Sequence, residues 1–227
     1  MKWLKRLQMM RISKIVIAVS LALSVIFAGF TIYGNKVGNF IINVSNDGAH
    51  IAATMKEDLS DLSSRLSVSG LEGQGATTYE DIPRSIARGI GNKSDTVYQT
   101  YMAFSFYLVN KTERSVDYDM SLNVVDSVGR AIDIMRVMII EGDAEGGDIY
   151  ANPEANEEGE NWLKQHTSYE TIAFISEKQL MAKRVTDFQP EDKVKYTIVI
   201  WVEGWDMDCT DERLQDRIKM KLDFYAY

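Results

Sequence analysis

The sequence predicts an all-β protein: a single antiparallel β-sandwich of immunoglobulin or jelly-roll type with long loops, preceded by one N-terminal transmembrane helix. Three observations predict it. Several segments alternate apolar and polar residues with a period of two, which marks strands with one face on a core and the other in water. About 190 residues follow the N-terminal segment, enough for one domain with a real core and little room for a second. Residues 15–33, IVIAVSLALSVIFAGFTIY, carry no charge, and their 19 residues suffice to cross a bilayer as a helix.

The basic residues Lys2, Lys5, Arg6, Arg11 and Lys14 precede that apolar run, and only Lys36 follows it closely. By the positive-inside rule residues 1–14 stay cytoplasmic, residues 15–33 act as a signal-anchor helix, and residues 34–227 form an extracellular domain. A cleaved signal peptide is the competing reading. The best cut site would follow Ala28, where Ile26 occupies a position that wants a small residue. The sequence therefore favours retention.

Charge divides sharply along the chain. Residues 34–227 hold 20 of the 25 basic and all 33 acidic residues, a formal charge of −13. Such a domain lacks the basic footprint that nucleic acid or anionic lipid requires. Simple solvation accounts for most acidic surfaces of this kind. The membrane, through residues 15–33, and an extracellular protein or matrix are the expected partners. Cys209 is the single cysteine, so no intrachain disulfide forms. An exported domain without one fits a bacterial surface better than an animal secretory pathway.

Taken in order, Val37–Val44 reads as a first strand ahead of an Asn46-Asp47-Gly48 turn. Leu59, Leu62 and Leu66 recur among charged residues at helical spacing, so Ile51–Leu66 is expected to hold a short surface helix. The glycine-rich stretch from Ser67 to Asp95 reads as a long irregular connection, a common setting for binding. Tyr101–Asn110 and Val116–Val124 both alternate, and the polar link Lys111–Arg114 between them predicts a hairpin. Ala131–Glu141 is apolar on both faces except for Asp133 and Arg136, which are expected to face outward at an edge, with burial beside a partner as the alternative, because a buried arginine is costly unless fully paired. Glu141–Glu160 has eight acids and no Lys or Arg; it reads as a solvated loop around a short strand at Ile149–Ala151. Thr171–Ile175 suits another strand. Tyr196–Glu203, β-branched on both parities, suits the centre of a sheet. Ile218–Tyr227 closes the chain with Ile218, Met220, Leu222 and Phe224 facing inward. Seven to nine strands are expected in all.

No catalytic constellation emerges. His50 and His166 are far apart in sequence, no H-E-x-x-H or G-x-S-x-G occurs, and an acidic, aromatic setting blunts the Cys209 thiol. The best chemical feature is the acidic run Asp206, Asp208, Asp211 and Glu212 after the Gly204-Trp205 turn. These carboxylates are the candidate ligands for Ca²⁺, which takes six to eight oxygens. The competing reading is a turn in which Asp206 or Asp208 caps a short helix over Thr210–Arg217. Trp201 and Trp205 are expected to be core packing and a loop plug respectively, with a ligand platform as the alternative.

Three blocks carry a resemblance: YQTYMAFSFYLVN (Tyr98–Asn110), AIDIMRVMII (Ala131–Ile140) and YTIVIWVEGWDMDC (Tyr196–Cys209). They look like those of an uncharacterised family of Gram-positive, membrane-anchored surface proteins, whose last block reads approximately KYTxVIWLEGxDPxC. The likeness covers about half of residues 34–227. Met207 stands where that family tends to have proline, and Gln215-Asp216 where it has two glycines, which leaves the loop after Cys209 less tightly preset. More distantly, one N-terminal membrane segment followed by one sandwich is similar to the layout of camelysin-like and biofilm-fibre proteins. The export layout and the lack of a catalytic constellation lead to the expectation of a non-enzymatic, membrane-tethered surface protein serving envelope, matrix or adhesion interactions. A Ca²⁺- or ligand-binding extracellular module and a surface hydrolase are the alternatives.

Overall fold

The computed structural model describes residues 20, 21, 24, 40–46, 50–68, 75–89, 100–154 and 156–227. The membrane span expected over residues 15–33 lies almost wholly outside them. Among the described residues no helix is long and apolar enough to cross a membrane. The chain divides into Met1–Gly38 and Asn39–Tyr227, and the second unit is a two-sheet sandwich.

One sheet has five strands: β1 (Phe40–Asn46), β3 (Arg65–Val68), β5 (Val116–Val128), β9 (Gln179–Phe188) and β11 (Arg217–Ala226), in the order β3-β1-β11-β5-β9. The other has six: β2 (Ile51–Thr54), β4 (Tyr101–Asn110), β6 (Met135–Glu141), β7 (Asp148–Ala151), β8 (Ile172–Ala173) and β10 (Lys193–Val202), in the order β2-β4-β10-β6-β7-β8. The inward parities meet between the sheets. Phe40 of β1 packs edge-on against Phe104 of β4 at 4.9 Å, and Phe106 of β4 meets Phe224 of β11 at 5.9 Å. The Tyr118 and Tyr196 hydroxyls, one from each sheet, close a buried hydrogen bond of 2.8 Å. Met220, Leu222 and Phe224 are fully buried, as the closing alternation predicts, and β10 is central between β4 and β6.

Several expectations are corrected. The sheets are mixed, because β1 runs parallel to β11 and β7 parallel to β8. Tyr101–Asn110 and Val116–Val124 form no hairpin: β4 pairs with β2 and β10, β5 with β11 and β9. Their link is an arch from one sheet to the other, and Asn110 ties it. Its amide N–H groups donate to the carbonyls of Phe188 (2.8 Å), Arg114 (2.9 Å) and Gln189 (3.0 Å), while its carbonyl accepts from the Thr112 N–H and hydroxyl. The helix expected in Ile51–Leu66 is instead β2, a turn and β3. Leu59 and Asp61 adopt positive φ, and Asp58 accepts from the Ser60 N–H, geometry that no helix continues through.

The outer face of β4 is also dry, where the alternation predicts water. All ten β4 residues are buried. Tyr101 and Ala103 join Met138, Ile140, Val199 and Trp201 in a second apolar cluster, covered by Ile82, Ile86 and Ala87 from the connection before β4. The last two belong to the short helix α1 (Ile86–Gly89). A second short helix, α2 (Ala131–Ile134), leads into β6, and a third, α3 (Glu157–His166), lies within the acidic stretch. A 3-10 turn, Arg213–Gln215, replaces the helix expected over Thr210–Arg217.

Candidate functional site: a cavity over a buried arginine

β6 lies between β10 and β7, so its second residue, Arg136, sits opposite Trp201 on one side and Ala151 on the other. That register puts Arg136 on the covered outer face, and its side chain is 1% exposed. The outward orientation expected for Arg136 is therefore wrong: the side chain is held inside, where the turn after β10 supplies a partner. Arg136 Nη2 donates to Asp206 Oδ2 at 2.9 Å and lies 3.6 Å from Glu154 Oε1. Nη1 donates to the carbonyls of Asp133 and Met135, both at 3.3 Å. Nε is the single buried side-chain nitrogen or oxygen without a hydrogen-bond partner among the described residues.

The turn that presents Asp206 is built from its own backbone. Glu203 donates its N–H to the Ile134 carbonyl, Gly204 to Thr77, Asp206 to Glu203 and Cys209 to Asp206. Asp206 Oδ1 accepts the Asp208 N–H at 2.9 Å. Beside it Glu203 is fully buried, and neutral donors satisfy it: the Tyr169 hydroxyl at 2.6 Å, Trp201 Nε1 at 3.0 Å and the Trp205 N–H at 3.2 Å. Burial, followed by the Glu203 charge, pushes the Tyr169 hydroxyl well above its ordinary range, so Tyr169 stays a neutral donor.

Glu154 completes the group from the loop after β7. Burial first, then the Asp206 charge, pushes its carboxyl up to about 7, against the pull of Arg136. A second carboxylate close by and low-polarity surroundings both disfavour the charged form of Glu154, so its carboxyl holds its proton to higher pH than usual. Gly159 in the first turn of α3 makes room: a Cβ at that position would lie 2.7 Å from Glu154 Oε2. Asn156 caps the helix by accepting the Gly159 N–H at 2.9 Å. An outer ring braces this arrangement, as Asp133 accepts from Arg130, Arg213 and Asn152 at 2.6–3.0 Å.

A cavity of about 400 Å³ opens over this floor. Arg136, Asn152 and Glu154 line it from the sheet side, Glu160, Leu163 and Lys164 from α3, and Tyr169, Glu170 and Thr171 from the chain entering β8. Apolar walls from Ala151, Pro153, Leu163 and Ala173 carry a few charged, hydroxyl and amide groups, the usual make-up of a small-molecule site.

The four carboxylates expected to hold Ca²⁺ are not brought together. Both Asp206 oxygens are engaged, Asp208 lies 3.7 Å from Arg213, and Asp211 and Glu212 are exposed on the following turn. Among the described residues no group of three or more His, Cys, Asp or Glu side chains is placed to hold a metal ion. Trp201 is core, as expected, at 1% exposed. Trp205 is no plug: it is 40% exposed and packs at 4.7 Å on His166, which stacks on Trp162 at 3.9 Å. Burial pushes the Cys209 thiol up, and the nearby carboxylates add to this, so it is a weak nucleophile.

Sequence reasoning finds Asp206 but misses Glu154, Tyr169 and Glu203. The available signal is Arg136 itself, a lone cation in an apolar strand that requires an acid wherever it is buried. No protein-family model matches this sequence, and no curated protein is similar to it.

Proposed function

We propose that this chain is a non-enzymatic cell-surface protein of a Gram-positive bacterium, tethered to the membrane through residues 15–33, with its β-sandwich outside for envelope, matrix or adhesion interactions. The observation that carries this reading is the sequence asymmetry. An uncharged 19-residue apolar segment behind five basic residues runs into a domain with a formal charge of −13. The weak Cys209 thiol and the ring-stacked His166 support a role in binding over one in catalysis. The family resemblance of the Tyr98–Asn110, Ala131–Ile140 and Tyr196–Cys209 blocks points the same way.

Expression of the full chain with a C-terminal epitope in a Gram-positive host tests it. The expected result is an integral membrane protein whose epitope is removed by protease added to intact protoplasts. An epitope protected until lysis, or a protein washed off membranes by alkaline carbonate, overturns the reading. Residues 34–227 alone are expected to give a soluble domain with a β-rich circular dichroism spectrum.

A further inference from the structure

The cavity over Arg136 has the size of a small-molecule site: about 400 Å³, against a usual range of about 300–1,000 Å³. Its floor contains an unmet donor, because the Arg136 Nε–H has no acceptor although the side chain is 1% exposed. A buried donor in that state favours an incoming acceptor oxygen. The charges pull in a second direction. Glu154, Glu160 and Glu170 line the space together with Arg136 and Lys164. Lys164 is taken up by Glu160 at 2.6 Å and Arg136 by Asp206 at 2.9 Å. The carboxyl groups left without a lysine are Glu154, whose Oε1 lies 3.6 Å from Arg136 Nη2, and Glu170. A matching ligand carries a cation and a neighbouring oxygen.

We propose that this cavity binds a small hydroxylated amine, with the chemistry of an amino sugar: its ammonium sits on Glu154 and one of its oxygens accepts from Arg136 Nε. The inference stands on the cavity alone and holds wherever the domain resides.

A proton is linked to this binding. The groups acting on Glu154 are Asp206, Asp208 and Arg136, and the carboxyl ionises at about 7. An ammonium beside it favours the carboxylate, so binding near pH 7 expels a proton to solvent and affinity rises as pH climbs from about 6 to about 7; above about 7.5 the ligand's own amine loses its proton and affinity falls again.

Titration calorimetry on the full chain in detergent, with glucosamine, N-acetylglucosamine and glucose as probes, tests the proposal. Glucosamine is expected to bind at millimolar concentration or below, with heats that differ between buffers of unlike ionisation enthalpy because a proton leaves. N-acetylglucosamine and glucose, lacking the ammonium, are expected to bind about tenfold more weakly or worse. Glu154→Gln should lose about tenfold in glucosamine affinity while remaining folded, as a β-rich circular dichroism spectrum and a cooperative melt would show. Glu170→Gln, at an exposed lining position, should lose severalfold and serves as the second variant. Absence of glucosamine binding, equal affinity for N-acetylglucosamine, or undiminished binding in both variants overturns the proposal.

Discussion

Arg136 Nη2 lies 2.9 Å from Asp206 Oδ2 with each side chain 1% exposed, so β6 and the turn after β10 are joined by an ion pair sealed from water. Such a pair contributes little net stability over an apolar replacement, but stranding one partner costs about 3–5 kcal/mol. Here a reserve exists. When Asp206 is removed, Glu154, already 3.6 Å from the guanidinium, can ionise fully and take its place. Asp206→Ala in residues 34–227 is therefore expected to fall near the lower end, about 3 kcal/mol, in urea unfolding. Adding Glu154→Gln removes the reserve, and the double variant should lose more than the sum of the singles, as expected for groups in one network. Simple additivity would show that Glu154 does not answer to Arg136.

The same carboxyl gives stability a pH dependence of unusual sign. Glu154 ionises at about 7 in the folded protein against an ordinary 4.5. Between these values the folded state holds more protons than the unfolded state, so this group's contribution falls as pH rises from about 4.5 through about 7. Asp133 and Asp143 pull the other way: their carboxyls are held low, chiefly by Arg130 and Lys195, and their contribution is lost in acid. Subtracting the Glu154→Gln profile from the native one isolates the term. The native protein should lose stability relative to the variant as pH rises from about 4.5 to about 7, with no further change above that; parallel profiles would remove Glu154 from the account.

Much of the frame is legible in the sequence, because period-two alternation reports burial directly. The inward sets of β5 and β11 and the central place of β10 all follow from it. What the alternation does not carry is which strands pair. Asn110 looks like the last polar residue before a hairpin, yet its side chain reaches carbonyls near residue 188 and turns the link into an arch, a decision made by long-range bonds. The outer face of β4 fails for a related reason: Ser105 and Tyr107 suggest water, but Ser105 finds Thr197 at 2.7 Å across the ladder. In the same way, local cost argues against burying Arg136, and only the fold brings Asp206 and Glu154 within reach.

Asn110 is expected to be among the most sensitive polar positions in the sandwich. It is 1% exposed and serves five partners. Asn110→Ala takes this donor from the Phe188 carbonyl and this acceptor from the Thr112 N–H, while the Arg114 carbonyl keeps the Thr112 hydroxyl and the Gln189 carbonyl keeps the Asp192 N–H. The cost should be about 2–3 kcal/mol, measured by urea unfolding. Asn110→Asp keeps the shape but sets a carboxylate against three carbonyl oxygens, so it should be worse than alanine at neutral pH and recover in acid. An aspartate variant as stable as the native protein would mean that the arch does not depend on these bonds.

Asp206, Asp208, Asp211 and Glu212 have the composition of a calcium loop without its geometry. An ion that takes six to eight oxygens would have to displace Arg136 from Asp206 Oδ2 and the Asp208 N–H from Oδ1, leaving a buried guanidinium facing Glu154 alone. Asp208 is also drawn toward Arg213. The melting temperature of residues 34–227 is accordingly expected to be the same in millimolar Ca²⁺ and in EGTA. Binding at a hundredfold excess over Kd would stabilise the native state by about 2.7 kcal/mol, a rise of about 5–10 °C for a domain of this size, which a thermal melt resolves easily. Asp211→Asn and Glu212→Gln should leave the melt unchanged under both conditions, because exposed carboxylates on a turn contribute within about 0.5 kcal/mol. A calcium-dependent rise that these two substitutions abolish would show that the turn rearranges around an ion and that the Arg136–Asp206 pair opens to admit it.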